Sequence, residues 1–186
     1  MSTPGKNIEK ISTSWHRPGD SLVSRLIAAT DAGPLIYLSV LGRLPLLRDL
    51  FAEVLLPDAV YEEVVLHGHG LPGASETEGA VESGWLRRAA VQNRAAVDAL
   101  LGELDVGEAE AIALARELGL RWILMDDRGG RAKARLMGLT VTGTIGVLLL
   151  AKKSGMEIDL QRDLDLLIEH NFRISHELYE QLISVG

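Results

Sequence analysis

The chain predicts an α/β fold, a parallel sheet joined by crossover helices, and three features say so. Short apolar runs recur from Ser21 onward, longer amphipathic stretches alternate with them, and turn or capping residues stand at most of the joins. A length of 186 residues suits one domain with a real core. We expect that domain to span residues 21–186, behind a polar stretch over 1–20 that reads as a flexible arm or a start site placed too early.

Taken in order, SLVSRLIAAT is the first strand, ending at Asp31. GPLIYLSVLGRL starts a helix with Pro34 in its first turn, where the missing N–H costs nothing. PLLRDLF is a short helix and EVLLP a strand stopped by Pro57. PDAVYEEVVLHG follows as a helix with Asp58 as its N-cap. The glycine-rich stretch from His67 to Gly84 reads as a loop, with at most a helical turn around ASETEGAVE. WLRRAAV is a strand or edge segment and NRAAVDALL a helix. VGEAEAIALARELG is a helix with Ile112, Leu114, Ala115 and Leu118 on its apolar positions and Gly119 closing it. Then come the strand RWILM, the helix RGGRAKARLMG, the strand LTVTG and the helix TIGVLLLAKKSG. Helices near Leu160–His170 and Ser175–Ser184 finish the chain.

Composition narrows the function. Hydrophobic residues at 47% and charged ones at 24% describe a globular protein. Without cysteine there is no disulfide scaffold, thiolate zinc site or cysteine nucleophile, which fits a reducing cytoplasm. The longest apolar run, Leu139 to Ala151, carries three threonines and falls short of the roughly 20 residues a membrane span needs. No membrane association is therefore expected. A net charge of -7 argues against a protein that coats nucleic acid by positive charge alone, but leaves room for a local basic surface beside an acidic metal site.

Ligands of an open parallel sheet bind beyond the carboxyl ends of its strands. Asp31 follows the first strand, Asp126 and Asp127 follow RWILM, Glu63 lies on the helix after EVLLP, and Glu108 lies in the first turn of the GEAEA helix. Clustered carboxylates supply the oxygen ligands that hard cations such as Mg²⁺ or Mn²⁺ prefer. Each acid also has a plainer reading. Asp31 could be a turn or capping residue before Gly33 and Pro34, Asp105 and Glu108 fit a capping box, Glu62 and Glu63 sit where the helix dipole favours negative charge, and Asp127 could cap the next helix. Their shared side of the sheet is what turns the separate acids into a candidate site.

The blocks DAGPLIYLSVLGRLPLL, LLPDAVYEEV, LDVGEAEAIALARELG, ILMDDRGGRAKARLMGLTVTGTIGVLLLAKKSG and LIEHNFRISHELYEQLI, in that order, resemble the PIN domains, in the branch of short prokaryotic proteins predicted to bind nucleic acid. The resemblance implies a three-layer α/β/α sandwich around a mainly parallel sheet of four to five strands. It also implies an endoribonuclease that hydrolyses single-stranded RNA with Mg²⁺ or Mn²⁺. Asp31, Glu63, Glu108 and Asp126 or Asp127 would be the four acids, with Glu62 the fallback for the second; Asp31, Glu108, Asp126 and Asp127 would bind the metal. PIN toxins place Thr or Ser and one further residue before the fourth acid, whereas this chain has Met125 and then two aspartates, so either can fill that role. A small antitoxin partner and a homodimer are further implications of the family.

Arg128, Arg131, Lys133 and Arg135 cluster just past the acids. They read either as phosphate contacts, with Arg131 foremost, or as a solvated face paired with Asp126 or Asp127. Thr144 reads as the N-cap of its helix, or else as a group reaching the same site. His67 and His69 read as exposed surface without a third metal ligand. Trp85 and Trp122 read as core, although tryptophans, Trp15 included, can also stack on bases. Two other functions compete: a degenerate PIN fold that binds RNA or protein without cutting, and a phosphoacceptor receiver domain, which needs its acidic pair after the first strand and not, as here, after a later one.

Overall fold

The computed structural model describes residues 26–184. The N-terminal arm, Trp15 and the first residues of the expected first strand lie outside this range. Five strands, β1 (Ile27–Thr30), β2 (Glu53–Leu56), β3 (Leu86–Arg88), β4 (Trp122–Leu124) and β5 (Thr140–Thr142), form one sheet in the order β3-β2-β1-β4-β5. Every pairing is parallel, with Ala29 opposite both Leu55 and Ile123. Parallel strands need crossovers, and here they are helices on both faces.

Strand residues alternate between two cores, as the period-2 geometry of a strand requires. Ala28, Val54, Leu56 and Leu124 face one layer, where they meet α1 (Ala32–Val40), α2 (Leu46–Leu50), α8 (Thr144–Lys153) and α9 (Leu160–Glu169). Ala29, Leu55, Ile123 and Met125 face the other, against α5 (Arg94–Asp98), α6 (Val106–Glu117) and α7 (Arg128–Leu136). The result is a three-layer α/β/α sandwich. The remaining helices are α3 (Asp58–Tyr61), α4 (Ala74–Glu82) and α10 (His176–Ser184). Among the described residues no helix is long and apolar enough to cross a membrane.

Three local expectations change. The glycine-rich stretch is not a loop with one helical turn, because α4 is a regular nine-residue helix. It starts where Gly73 takes φ 97°, its backbone N–H donates to Glu76, and Ala74, Thr77 and Ala80 are buried; the flanking glycines obscured that apolar stripe. Next, the expected single helix from Asp58 runs as α3 and then widens into a π-helical segment, Glu62–His67. Finally, Asp58 does not cap α3 but pairs with Arg88 on edge strand β3 at 2.5 Å. The start of α3 is served instead from across the molecule, where buried Glu110 accepts the Ala59 N–H at 3.0 Å and is itself paired with Arg94.

The strand order places β1 at the centre, with the chain filling one side through β2 and β3 and then returning to fill the other through β4 and β5. The reversal falls between β1 and β4, and such a switch point opens a crevice at the carboxyl ends of the two strands. Asp31 is bound into that crevice by its own backbone, donating its N–H to the Leu124 carbonyl at 2.9 Å.

Candidate functional site

Each acid reaches the crevice by a different route. Asp31 stands between β1 and α1, in extended conformation at the N-cap position, yet its side chain makes no capping bond among the described residues. The capping reading of Asp31 therefore fails, and a carboxylate only 7% exposed is left facing other acids. Burial first, then the charges of Asp105, Glu63 and Asp126, push its pKa up to about 7, although the Ala32 N–H acts the other way.

Glu108 is 6% exposed in the first turn of α6. The capping box is real: Asp105 accepts the Glu108 N–H at 2.8 Å and Glu108 accepts the Asp105 N–H at 3.3 Å. Capping does not exhaust this carboxylate. A Cβ added at Gly130 would stand 3.0 Å from Oε1 of Glu108 and collide with the Met125 sulfur, so glycine lets α7 start this close without displacing either side chain. Burial, then Asp105, Asp127 and Asp31, raise the Glu108 pKa to about 8.

Asp126 follows β4 and is tied to the start of α8. Its Oδ1 accepts the Thr144 N–H at 2.9 Å and its Oδ2 the Thr144 hydroxyl at 2.6 Å. Burial raises its pKa, while the two Thr144 donors and then Arg131 lower it. Thr144 is thus not the N-cap of α8, a position held by Gly143; it is an arm that orients an acid. A Cβ on Gly143 would run into Oδ1 of Asp126, the Arg131 guanidinium and the Met125 carbonyl. Asp127 caps α7, accepting the Gly130 N–H at 2.9 Å, and this bond leads the causes that hold its carboxyl below the usual range. The two aspartates therefore differ: Asp126 is the inner one and Asp127 the exposed cap, charged in its own right and near Glu108.

Glu63 lies on the π-helical segment, exposed, with its carboxylate against the first turn of α6; a Cβ on Gly107 would be 3.1 Å from Oε2. Burial of part of it and the charge of Asp105 raise its pKa, and His67 lowers it. Asp105, read from the sequence only as a cap, is the charge that Asp31, Glu63 and Glu108 all feel. Nothing in its local pattern signals that position. Glu62 is exposed, and the leading charges on Asp31, Glu63 and Glu108 come from other residues.

The basic cluster divides. Arg131 donates to the Met125 carbonyl at 2.7 Å and lies near Asp126. Burial, then Arg135, lower its pKa, and Asp126 raises it. Lys133, expected as a phosphate contact, is paired with Glu103 at 2.7 Å. Arg128 and Arg135 are exposed on α7. His67 and His69 are exposed, as expected. Trp85 and Trp122 are partly buried against the first core, also as expected.

The donor set suits a hard divalent cation: it is all oxygen, two of its acids are nearly buried, and burial and mutual repulsion oppose their ionisation. Among the described residues no three acidic or histidine side chains stand close enough to form a ligand shell as they are.

A doubly wound parallel sheet with acids from four separate segments at its switch point defines a class of α/β proteins whose site binds beyond the strand ends. The family model described as a PIN domain matches residues 27–185, and the chain belongs to that family. Among curated proteins none matches the chain. PIN domains are generally nucleases that bind nucleic acid and use divalent metal ions.

Proposed function

We propose that this protein is a metal-dependent endoribonuclease that hydrolyses phosphodiester bonds in single-stranded RNA. The observation that carries the reading is the convergence of Asp31, Glu108 and Asp126 on the β1–β4 switch point, with Asp31 and Glu108 raised by burial and by one another's neighbourhood. Asp31, Glu108, Asp126 and Asp127 would hold Mg²⁺ or Mn²⁺, with Glu63 beside them. The ion would supply an activated water and stabilise charge on the phosphoryl group. Thr144 fixes the rotamer of Asp126 through two hydrogen bonds, so the acid meets its ligand already oriented. Arg131, anchored on the Met125 carbonyl, and Arg128 at the start of α7 face phosphate from the α7 side. Lys133 would contribute only by leaving Glu103.

The test is cleavage of a labelled single-stranded RNA. Cutting should require Mg²⁺ or Mn²⁺, stop with chelator, and be lost in Asp31→Asn. A purified chain that leaves RNA intact with either metal overturns the reading. The second reading, a degenerate PIN fold that binds RNA or protein without cutting, draws on the absence among described residues of a preformed ligand shell; Mn²⁺ binding without cleavage would favour it. Pairing as a homodimer and a small antitoxin that covers the acids belong to the same proposal and rest on the family resemblance, while a cytoplasmic location rests on the absence of cysteine.

A further inference from the structure

The acids and α7 form only one side of the crevice. The first turn of α1 approaches Asp126, and the turn between α9 and α10 packs on α1 through Phe172. Gly33, in the first turn of α1, lies so close to Asp126 that an added Cβ would stand 3.3 Å from Oδ2. Tyr37 is four residues further along, on the same helix face one turn up. The ring of Phe172 meets that of Tyr37 edge-on, with centroids 4.8 Å apart and an interplanar angle of 86°, the T-shaped packing that aromatic quadrupoles favour. Phe172 is held in place by a sharp helix ending, in which Asn171 takes φ 66° and the Phe172 N–H returns to the Leu167 carbonyl at 2.9 Å.

That turn delivers Arg173, which is exposed and has no ion pair among the described residues. The Tyr37 hydroxyl registers both neighbours: burial and then the Asp126 carboxylate push its pKa up, and Arg173 draws it down. The phenol is therefore within electrostatic reach of both a carboxylate of the acid cluster and the Arg173 guanidinium. Arg131 and Arg128 stand on the α7 side while Lys133 is held by Glu103, and Arg173 supplies a cation from the α1 side.

We propose that Tyr37 and Arg173 form a second wall of the crevice, Arg173 gripping a backbone phosphate and Tyr37 an adjoining nucleotide, so that single-stranded RNA spans the acids between this wall and α7. The inference rests on the RNA-directed reading above. Tyr37 and Arg173 are positioning residues; the chemistry stays with the acids.

The test uses the full chain and a short fluorescein-labelled single-stranded RNA, with cleavage followed in Mn²⁺ and binding followed by anisotropy without metal across a salt series. Arg173→Ala should raise KM roughly ten-fold with kcat unchanged, the scale of one charged phosphate contact. It should also make the dependence of log affinity on log salt shallower by about 0.7, as loss of one phosphate contact to a single strand requires. Arg173→Lys should restore the slope, and Tyr37→Phe, which keeps the ring packing, should raise KM and leave the slope alone. A structural role for Arg173 would not move the salt slope. If Arg173→Ala keeps both the KM and the slope of the parent while Asp31→Asn abolishes cleavage, the second wall is overturned and the nuclease reading stands. If the parent binds RNA with a slope that depends on Arg173 yet cuts nothing, the wall stands and the nuclease reading falls.

Discussion

Replacing Asp31 by Asn should stabilise the metal-free protein while abolishing cleavage. Asp31 is 7% exposed, and its pKa is raised from 3.8 to about 7 by burial and by the acids around it. A raised acid is one whose folded state prefers the proton. Its contribution to stability is thus complete below the unfolded pKa near 4 and is lost as pH climbs through about 7. Each unit between the two values is worth about 1.4 kcal/mol, so the loss across that window is on the order of 4 kcal/mol at most, less whatever water entry and relaxation recover. Asn is nearly isosteric and cannot ionise. Urea unfolding, followed through tryptophan fluorescence in chelator from pH 4 to pH 8.5, should show the parent losing stability relative to Asp31→Asn as pH rises, the gap levelling off above pH 7. Added Mn²⁺ should recover stability in the parent more than in the variant. Parallel pH profiles for the two proteins, or a variant less stable than the parent at pH 8.5, would refute the claim that a buried, repelled carboxylate sits at this position.

Other consequences of the same geometry are checked more simply. Glu108→Gln should behave like Asp31→Asn but with its stability gain extending to higher pH, because the Glu108 pKa is pushed up to about 8; the loss of cleavage should be as complete. Thr144→Val removes the 2.6 Å hydroxyl bond to Asp126 and should cost about 1–3 kcal/mol. Since that bond supports the charged acid, the deficit should be larger at high pH, where Asp126 is ionised, than at low pH, and Thr144→Ser should restore both stability and activity. Gly143→Ala forces a Cβ against Asp126, Arg131 and the Met125 carbonyl. We expect about 1–3 kcal/mol of destabilisation in thermal melts, together with a fall in cleavage that persists at temperatures where the variant is fully folded.

Much of the fold was legible because helix and strand periodicity are local properties of the chain. The apolar runs IAAT, EVLL, WIL and TVT became strands, and all of them pair in parallel, as alternation with crossover helices predicts. The helix over 106–117 with Gly119 just beyond it could be read from the capping box and the periodicity. Where reading failed, the deciding partner was distant in sequence. Asp58 pairs with Arg88 and leaves Glu110 to serve the start of α3; neither contact is visible in the segment itself. Helix α4 was hidden because glycines at its edges suggest a loop until tertiary packing buries Ala74, Thr77 and Ala80.

The candidate site divides along the same line. The amino-acid sequence by itself determined which segments end in acids and, through the parallel alternation, that those ends share one side of the sheet. Only the tertiary structure decided what each acid does there. It set Asp126 against Thr144 and Asp127 on the α7 amides, and it turned Lys133 to Glu103. It also brought Asp105 to bear on three other carboxylates and Tyr37 toward Asp126. The physical reason is range: periodicity and capping act within a few residues along the chain, whereas desolvation and the repulsion between carboxylates depend on what surrounds a group in space.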